Sequence, residues 1–190
     1  AVNYAVCVFK AVYWFNPVVW VAFFLMKQDM EMLCDEYVVK GCTQAEKRGY
    51  DQTLWLDAAE NKYMEEVGSM NIFFVINGKV VTPMLGGSIL PGITRKSTIE
   101  LLKARGYDVE ERLVSVGEVV GAAKDGSLDE IFGTGTAAVV SPVGAFGYEG
   151  KDYTVGDGKL GKITKYVYDE LTGIQTGVKP DEFGWVERII

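Results

Sequence analysis

Apolar and polar positions change rhythm near residue 41. Before it, residues 11–26 form an uncharged, aromatic-rich run, and Lys10 is the only charge among the first 26 residues. Asn16 followed by Pro17 reads as a helix start, because the amide oxygen caps free N–H groups and proline fits the first helical position. From there the pattern predicts one long helix to Lys40, with Gly41 as its stop. Residues 43–48 read as a further helical turn ended by Gly49, and 52–56 as a short apolar strand. The continuous run 72–76 predicts a buried strand, and Asn77-Gly78 predicts a tight hairpin into Val80-Val81. Helices follow at 95–105, stopped by Gly106, at 116–124, ended near Gly126, and at 162–171, where Ile163, Tyr166, Val167 and Leu171 keep helical spacing. Strands are expected at 109–113 and 138–140, and the six glycines from Gly144 to Gly161 predict short strands joined by turns. This mixture gives an α/β (α+β) fold preceded by an apolar N-terminal helix.

Composition narrows the function classes. Hydrophobic residues at 48% and charged ones at 24% describe a globular protein with a large core. Nineteen basic against 26 acidic residues give a net charge of −7, and no basic run tracks a phosphate backbone, so nucleic acid is not an expected partner. Cys7, Cys34 and Cys42 are an odd count in the first quarter, which predicts reduced thiols. The absence of histidine excludes Ser-His-Asp triads, Cys-His dyads and His-ligated zinc within these residues. Residues 11–26 fall short of the roughly 20 that span a bilayer, so a membrane-proximal or buried segment rather than a span is expected there. No small-residue cleavage site follows, which argues against a signal peptide. A first residue of Ala1 rather than Met suggests an excerpt of a longer reading frame.

Candidate chemistry gathers on Glu65-Glu66-Val67-Gly68-Ser69-Met70-Asn71. Two adjacent carboxylates entering a Gly-Ser turn before a buried strand are costly to desolvate unless something pairs with them. A solvated acidic turn is the plainer alternative. Gly86-Gly87 suggests close backbone approach ahead of Leu90-Pro91-Gly92-Ile93-Thr94, a glycine turn that opens a helix and aims N–H groups at an anion. Gly133-Thr134-Gly135-Thr136 reads as a second such turn.

These segments, with Gly49-Tyr50-Asp51-Gln52-Thr53-Leu54-Trp55-Leu56-Asp57, Phe132-Gly133-Thr134-Gly135-Thr136-Ala137-Ala138 and Leu171-Thr172-Gly173-Ile174-Gln175-Thr176-Gly177, resemble the branched-chain aminotransferases of the class IV, pyridoxal-phosphate-dependent fold. The resemblance runs from about residue 42 to 190, in one order, and matches part of the family's large domain. It implies transamination of leucine, isoleucine and valine with a 2-oxo acid acceptor, in a cytoplasmic and usually homo-oligomeric enzyme. It also implies that Glu66 contacts the cofactor's pyridine nitrogen, that the amides of Ile93 and Thr94 and the hydroxyl of Thr136 hold its phosphate, and that Ser69 and the Ala137 N–H face substrate. The family's Schiff-base lysine precedes a Gly-Asn-Tyr segment; neither Lys27 nor Lys40 stands in that context, and Asn3-Tyr4-Ala5 has no preceding lysine. The family's smaller domain, with its phosphate-binding arginine, is likewise unmatched. No catalytic residue is therefore assigned, and the chain is expected to be inactive alone. Faces cut from a larger domain are expected to expose apolar surface.

Residues 14–36 resemble membrane-embedded metallopeptidases of the antibiotic-sensor type. There Glu31 matches the third zinc ligand and Asp35, four residues on, its support. The family's two histidines and catalytic glutamate are unmatched, so no metal site is expected. The expected division is thus 1–41, a metallopeptidase-like helical fragment, and 42–190, a partial cofactor-binding domain. The alternatives to a transferase are a membrane-associated peptidase or sensor fragment with a passenger domain, and a non-catalytic remnant.

Overall fold

The computed structural model describes residues 46–187. The chain divides into two compact units, 1–52 and 53–190. Of the first, the described part is the end of a helix, closed where Gly49 (φ 84°) donates its N–H to Glu46 O at 2.9 Å. The expected long helix 16–40, the apolar run 11–26, the three cysteines, Glu31 and Asp35 lie outside the described residues.

The second unit is built on β3 (Met70–Ile76), whose apolar run buries residues on both faces. β1 (Leu54–Leu56) pairs antiparallel with β2 (Met64–Val67), and β2 pairs with the start of β3. β4 (Lys79–Pro83) returns along the other half of that edge through the Asn77-Gly78 turn. Both turn residues have positive φ, 51° and 73°, which glycine and asparagine tolerate best. Helix α1 (Ile93–Ala104) connects β4 to its parallel neighbour β5 (Val109–Arg112). Helix α2 (Val116–Asp125) leads to β6 (Leu128–Gly135), which lines the opposite edge of β3 and turns back into β7 (Val139–Pro142). A separate hairpin, β8 (Ala145–Tyr148) and β9 (Lys151–Thr154), precedes α3 (Lys162–Gln175).

Side chains alternate across a strand, so β3 serves two cores. Phe73 and Val75 pack with Val80, Phe132, Leu101, Leu102 and Val167, under α1 and α3. Ile72 and Phe74 pack with Val81, Val119, Ile131 and Phe146, under α2 and the β8–β9 hairpin. Phe73 and Phe132, cross-strand partners, stack with ring centroids 5.0 Å apart.

The helices end much as their sequences require. Ser115 Oγ accepts from Glu118 N at 3.1 Å at the start of α2, and Gly126 (φ 82°) closes it. α3 has no cap of its own. Its first amides, Ile163 N and Thr164 N, donate to the carboxylate of Glu130 on β6 at 2.9 and 2.8 Å. Some boundaries differ from the expected ones. α1 begins at Ile93, two residues early, α3 runs four residues past Leu171, and β5 stops before Leu113. Gly86 and Gly87 make no tight approach: a Cβ on Gly87 would meet nothing within 4 Å, and what that position requires is its φ of 81°.

Candidate active site

Glu65 and Glu66 lie in β2 rather than in a turn, because β2 continues to Val67 and the hairpin bend falls at Gly68 (φ 57°) and Ser69. Strand alternation sends the two acids opposite ways, and each finds a partner. Glu65 Oε1 accepts from Ser88 Oγ at 2.5 Å. Glu66 Oε1 accepts from Asn71 Nδ2 at 3.1 Å.

Asn71 is the hinge of the arrangement. It is buried, lies opposite Glu66 on one side and Thr134 on the other, and gives its second amide hydrogen to Leu90 O at 2.8 Å. Gly92, the residue that opens α1, lies so close that a Cβ there would collide with Asn71 Oδ1. Glu66, Asn71, the 90–92 loop and β6 are thus joined by direct contacts or register.

The same register places the two hairpin tips together. With Asn71 beside Thr134 in antiparallel strands, Ser69 at the β2–β3 bend and Thr136 and Ala137 at the β6–β7 bend occupy the same end of the sheet. All three are exposed. No hydrogen bond links Ser69, Thr136 or Ala137 to Glu66 among the described residues.

The second glycine motif differs from its expected form. Gly133, Thr134 and Gly135 belong to β6 and not to the turn, which comprises residues 136–138 and leads to the expected strand. The glycines serve packing: a Cβ on Gly133 would lie 3.0 Å from Val67 Cγ1, and one on Gly135 3.0 Å from Met70 Cγ. Thr134 between them points to the Asn71 face, and its buried Oγ1 has no hydrogen-bond partner among the described residues.

Electrostatics distinguish this end of the sheet. Burial pushes the Glu66 carboxyl up from its ordinary value, a backbone hydrogen bond at Leu90 works against that, and the neighbouring Glu65 charge adds to it. No lysine or arginine forms an ion pair with Glu66 among the described residues. Among the described residues α1 has no side-chain cap and no acid in its first turn, an arrangement that suits an anion at its leading amides. α3 is the internal contrast, since Glu130 already fills that role there. Leu90 and Ile93, at the mouth of α1, are 70% and 78% exposed, and Met84 and Leu85 are exposed nearby in sequence, so the expected apolar surface is present. Arg95 in the first turn is turned away, bonding Pro83 O and Glu111 at 2.9 and 3.0 Å.

Comparison with known proteins places this geometry. A family model described as amino-transferase class IV matches residues 38–146, more than half of the chain. The chain belongs to the class IV amino-transferases. Among its relatives is the probable branched-chain-amino-acid aminotransferase of Staphylococcus epidermidis, 60% identical over 143 residues, 75% of this chain and 40% of that protein. Branched-chain-amino-acid aminotransferase 2 of Bacillus subtilis is 57% identical over 145 residues, again 40% of its length. The chain therefore spans about two fifths of the curated relatives it matches. Among solved structures, the Escherichia coli branched-chain amino acid aminotransferase matches with a TM-score of 0.65 at 34% identity, covering 78% of this chain and 46% of that one. A T.th. branched-chain amino acid aminotransferase with pyridoxamine 5′-phosphate matches at 0.66 and 30% identity, covering 78% and 45%. A second family model, described as BlaR1 peptidase M56, matches residues 1–72, of which 46–72 are described.

Sequence reasoning singled out Glu66 and the two glycine-containing segments but gave no role to Asn71, Thr134 or Ser88. Asn71 carried a usable signal: an amide side chain at the mouth of a wholly apolar strand must be buried, and a buried amide needs partners. The partners themselves, across 19 and 5 residues of sequence, had no local signature.

Proposed function

We propose that this aminotransferase chain carries one wall of a pyridoxal phosphate site of the branched-chain type. The supporting observation is a single one: Glu66, an acid without a cationic partner among the described residues, is tied by Asn71 and by the Leu90 N–H to the loop that opens an uncapped helix. The donor set suits the cofactor at both ends. Glu66 would accept the hydrogen bond of the ring nitrogen and hold a proton there. The amides of Ile93 and Thr94 and the hydroxyl of Thr136 would receive the phosphate, and the Ser69 hydroxyl and Ala137 N–H would face the amino acid. When bound, pyridoxal phosphate supplies an electron sink for the α carbon of the amino acid.

On this reading the whole enzyme transaminates leucine, isoleucine and valine with a 2-oxo acid acceptor, as a cytoplasmic homo-oligomer. Such chemistry needs a lysine to carry the proton between carbons. None of the lysines in these 190 residues stands in the family's context, so the chain binds the cofactor reversibly and does not turn over by itself. Absorbance titration with pyridoxal phosphate, borohydride trapping, and an assay with leucine and 2-oxoglutarate test this. The expected results are saturable binding weakened by Glu66→Gln, and no turnover. Binding indifferent to Glu66 contradicts the site, and sustained turnover contradicts the inactivity.

A second reading is favoured by the peptidase match over residues 1–72. Here residues 1–41 are a metallopeptidase-like segment touching a membrane through residues 11–26, and 42–190 is its passenger. Glu31 alone would match a zinc ligand, and no metal is held. Fractionation decides: recovery in washed membranes supports this reading, and recovery in the soluble fraction opposes it.

A further inference from the structure

We propose that Asn71 is a positioning residue, holding the Glu66 carboxylate and the loop that opens α1 at one fixed separation. The proposal rests on the reading of Glu66 and α1 given above. On that reading the ring of the cofactor is gripped by β2 and its phosphate by α1, two elements far apart in sequence. A flat, rigid ligand requires the two grips to be set to within a fraction of an ångström, and side chains locked by packing do this best.

Asn71 is the buried side chain that bonds both, and it works beside the Leu90 N–H, which donates to the Glu66 carboxylate directly. It is 6% exposed, and it uses one amide hydrogen on Glu66 Oε1 and the other on Leu90 O. Its Oδ1 occupies the space that a Cβ on Gly92 would need, so a larger residue there must displace it. Two acceptors for Nδ2 also fix which way the amide faces. Its backbone is clamped between β2 and β6, so the side chain cannot drift with the loop. Glu65 contributes a second tie through Ser88, but that bond is on the exposed surface and reaches the loop two residues earlier. Such a bond restrains the loop loosely, while the buried one sets its position.

The test uses the full chain without cofactor, so failure of the cofactor reading and failure of this proposal are separable. Asn71→Ser shortens the side chain, and Asn71→Asp keeps its shape while removing both donors. Amide hydrogen exchange is followed at Leu90, Gly92 and Lys96, with Phe73 and Phe132 as references in the sheet, and the Glu66 carboxyl is titrated by carbon NMR. The expected result in both variants is exchange at least tenfold faster at the loop amides, unchanged exchange at Phe73 and Phe132, and a Glu66 titration moved to higher pH. The move is larger in Asn71→Asp, which sets a third carboxylate beside Glu66 and Glu65. Exchange accelerated equally in loop and sheet, or a Glu66 titration that does not move, makes Asn71 a stabilising residue only and overturns the proposal.

Discussion

Glu66 shows how a single residue can work against the stability of the fold that carries it. Its carboxyl is raised by burial above the ordinary 4.5, so between that value and its native one the folded protein binds more protons than the unfolded chain. The contribution of Glu66 is therefore most favourable below pH 4.5 and is lost as pH rises through the raised value. Glu66→Gln removes that penalty. In cofactor-free protein the melting temperature should rise by about 1–3 °C at pH 7, a small gain because the group is partly solvated, with no gain at pH 4. The same variant should weaken pyridoxal phosphate tenfold or more, and calorimetry with an absorbance titration reads both. Gly92→Ala acts on the neighbouring contact. A methyl group there overlaps Asn71 Oδ1, and displacing it should cost about 1–3 kcal/mol in urea unfolding. At this scale the sequence made Glu66 legible, since a charged residue before a buried run is visible in any register. It left Asn71 unread, because its importance lies in what surrounds it.

Among the elements, the two helices flanking the Phe73 core differ in one instructive respect. α3 receives a carboxylate from β6, and α1 receives none among the described residues. Glu130→Ala removes the α3 cap and should cost about 1–2 kcal/mol, with the loss seen as faster exchange of the Ile163 and Thr164 amides. Gly161→Ala should act on the same cap, because its Cβ would overlap the Glu130 carboxyl. Helix and strand positions followed well from periodicity and from Asn77-Gly78, Gly106 and Gly126, whose conformational needs are local. The β6–β7 turn did not. Gly133 and Gly135 look like turn residues, but they are glycines because Val67 and Met70 pack against the strand, a constraint that exists only once β2, β3 and β6 are assembled. The Glu130 cap was hidden for the same reason, reaching 33 residues along the chain.

For the molecule as a whole, the decisive feature is register. The pairing of the Glu66–Asn71 hairpin with Thr134, together with the Asn71 bond to Leu90 O, brings three remote segments to one end of one sheet, and the Phe73–Phe132 stack two residues further along helps hold it. Phe132→Ala should cost about 3–5 kcal/mol and loosen the site together with the core. The class IV amino-transferase family match supports the proposal that this end of the sheet forms part of a cofactor site. The most direct test is an amide NMR titration of the chain with pyridoxal phosphate, following Glu66, Ile93, Thr94 and Thr136. A shared site predicts that signals from all three segments shift along one binding curve with a common dissociation constant. Shifts confined to one segment, or separate curves for each, would contradict it.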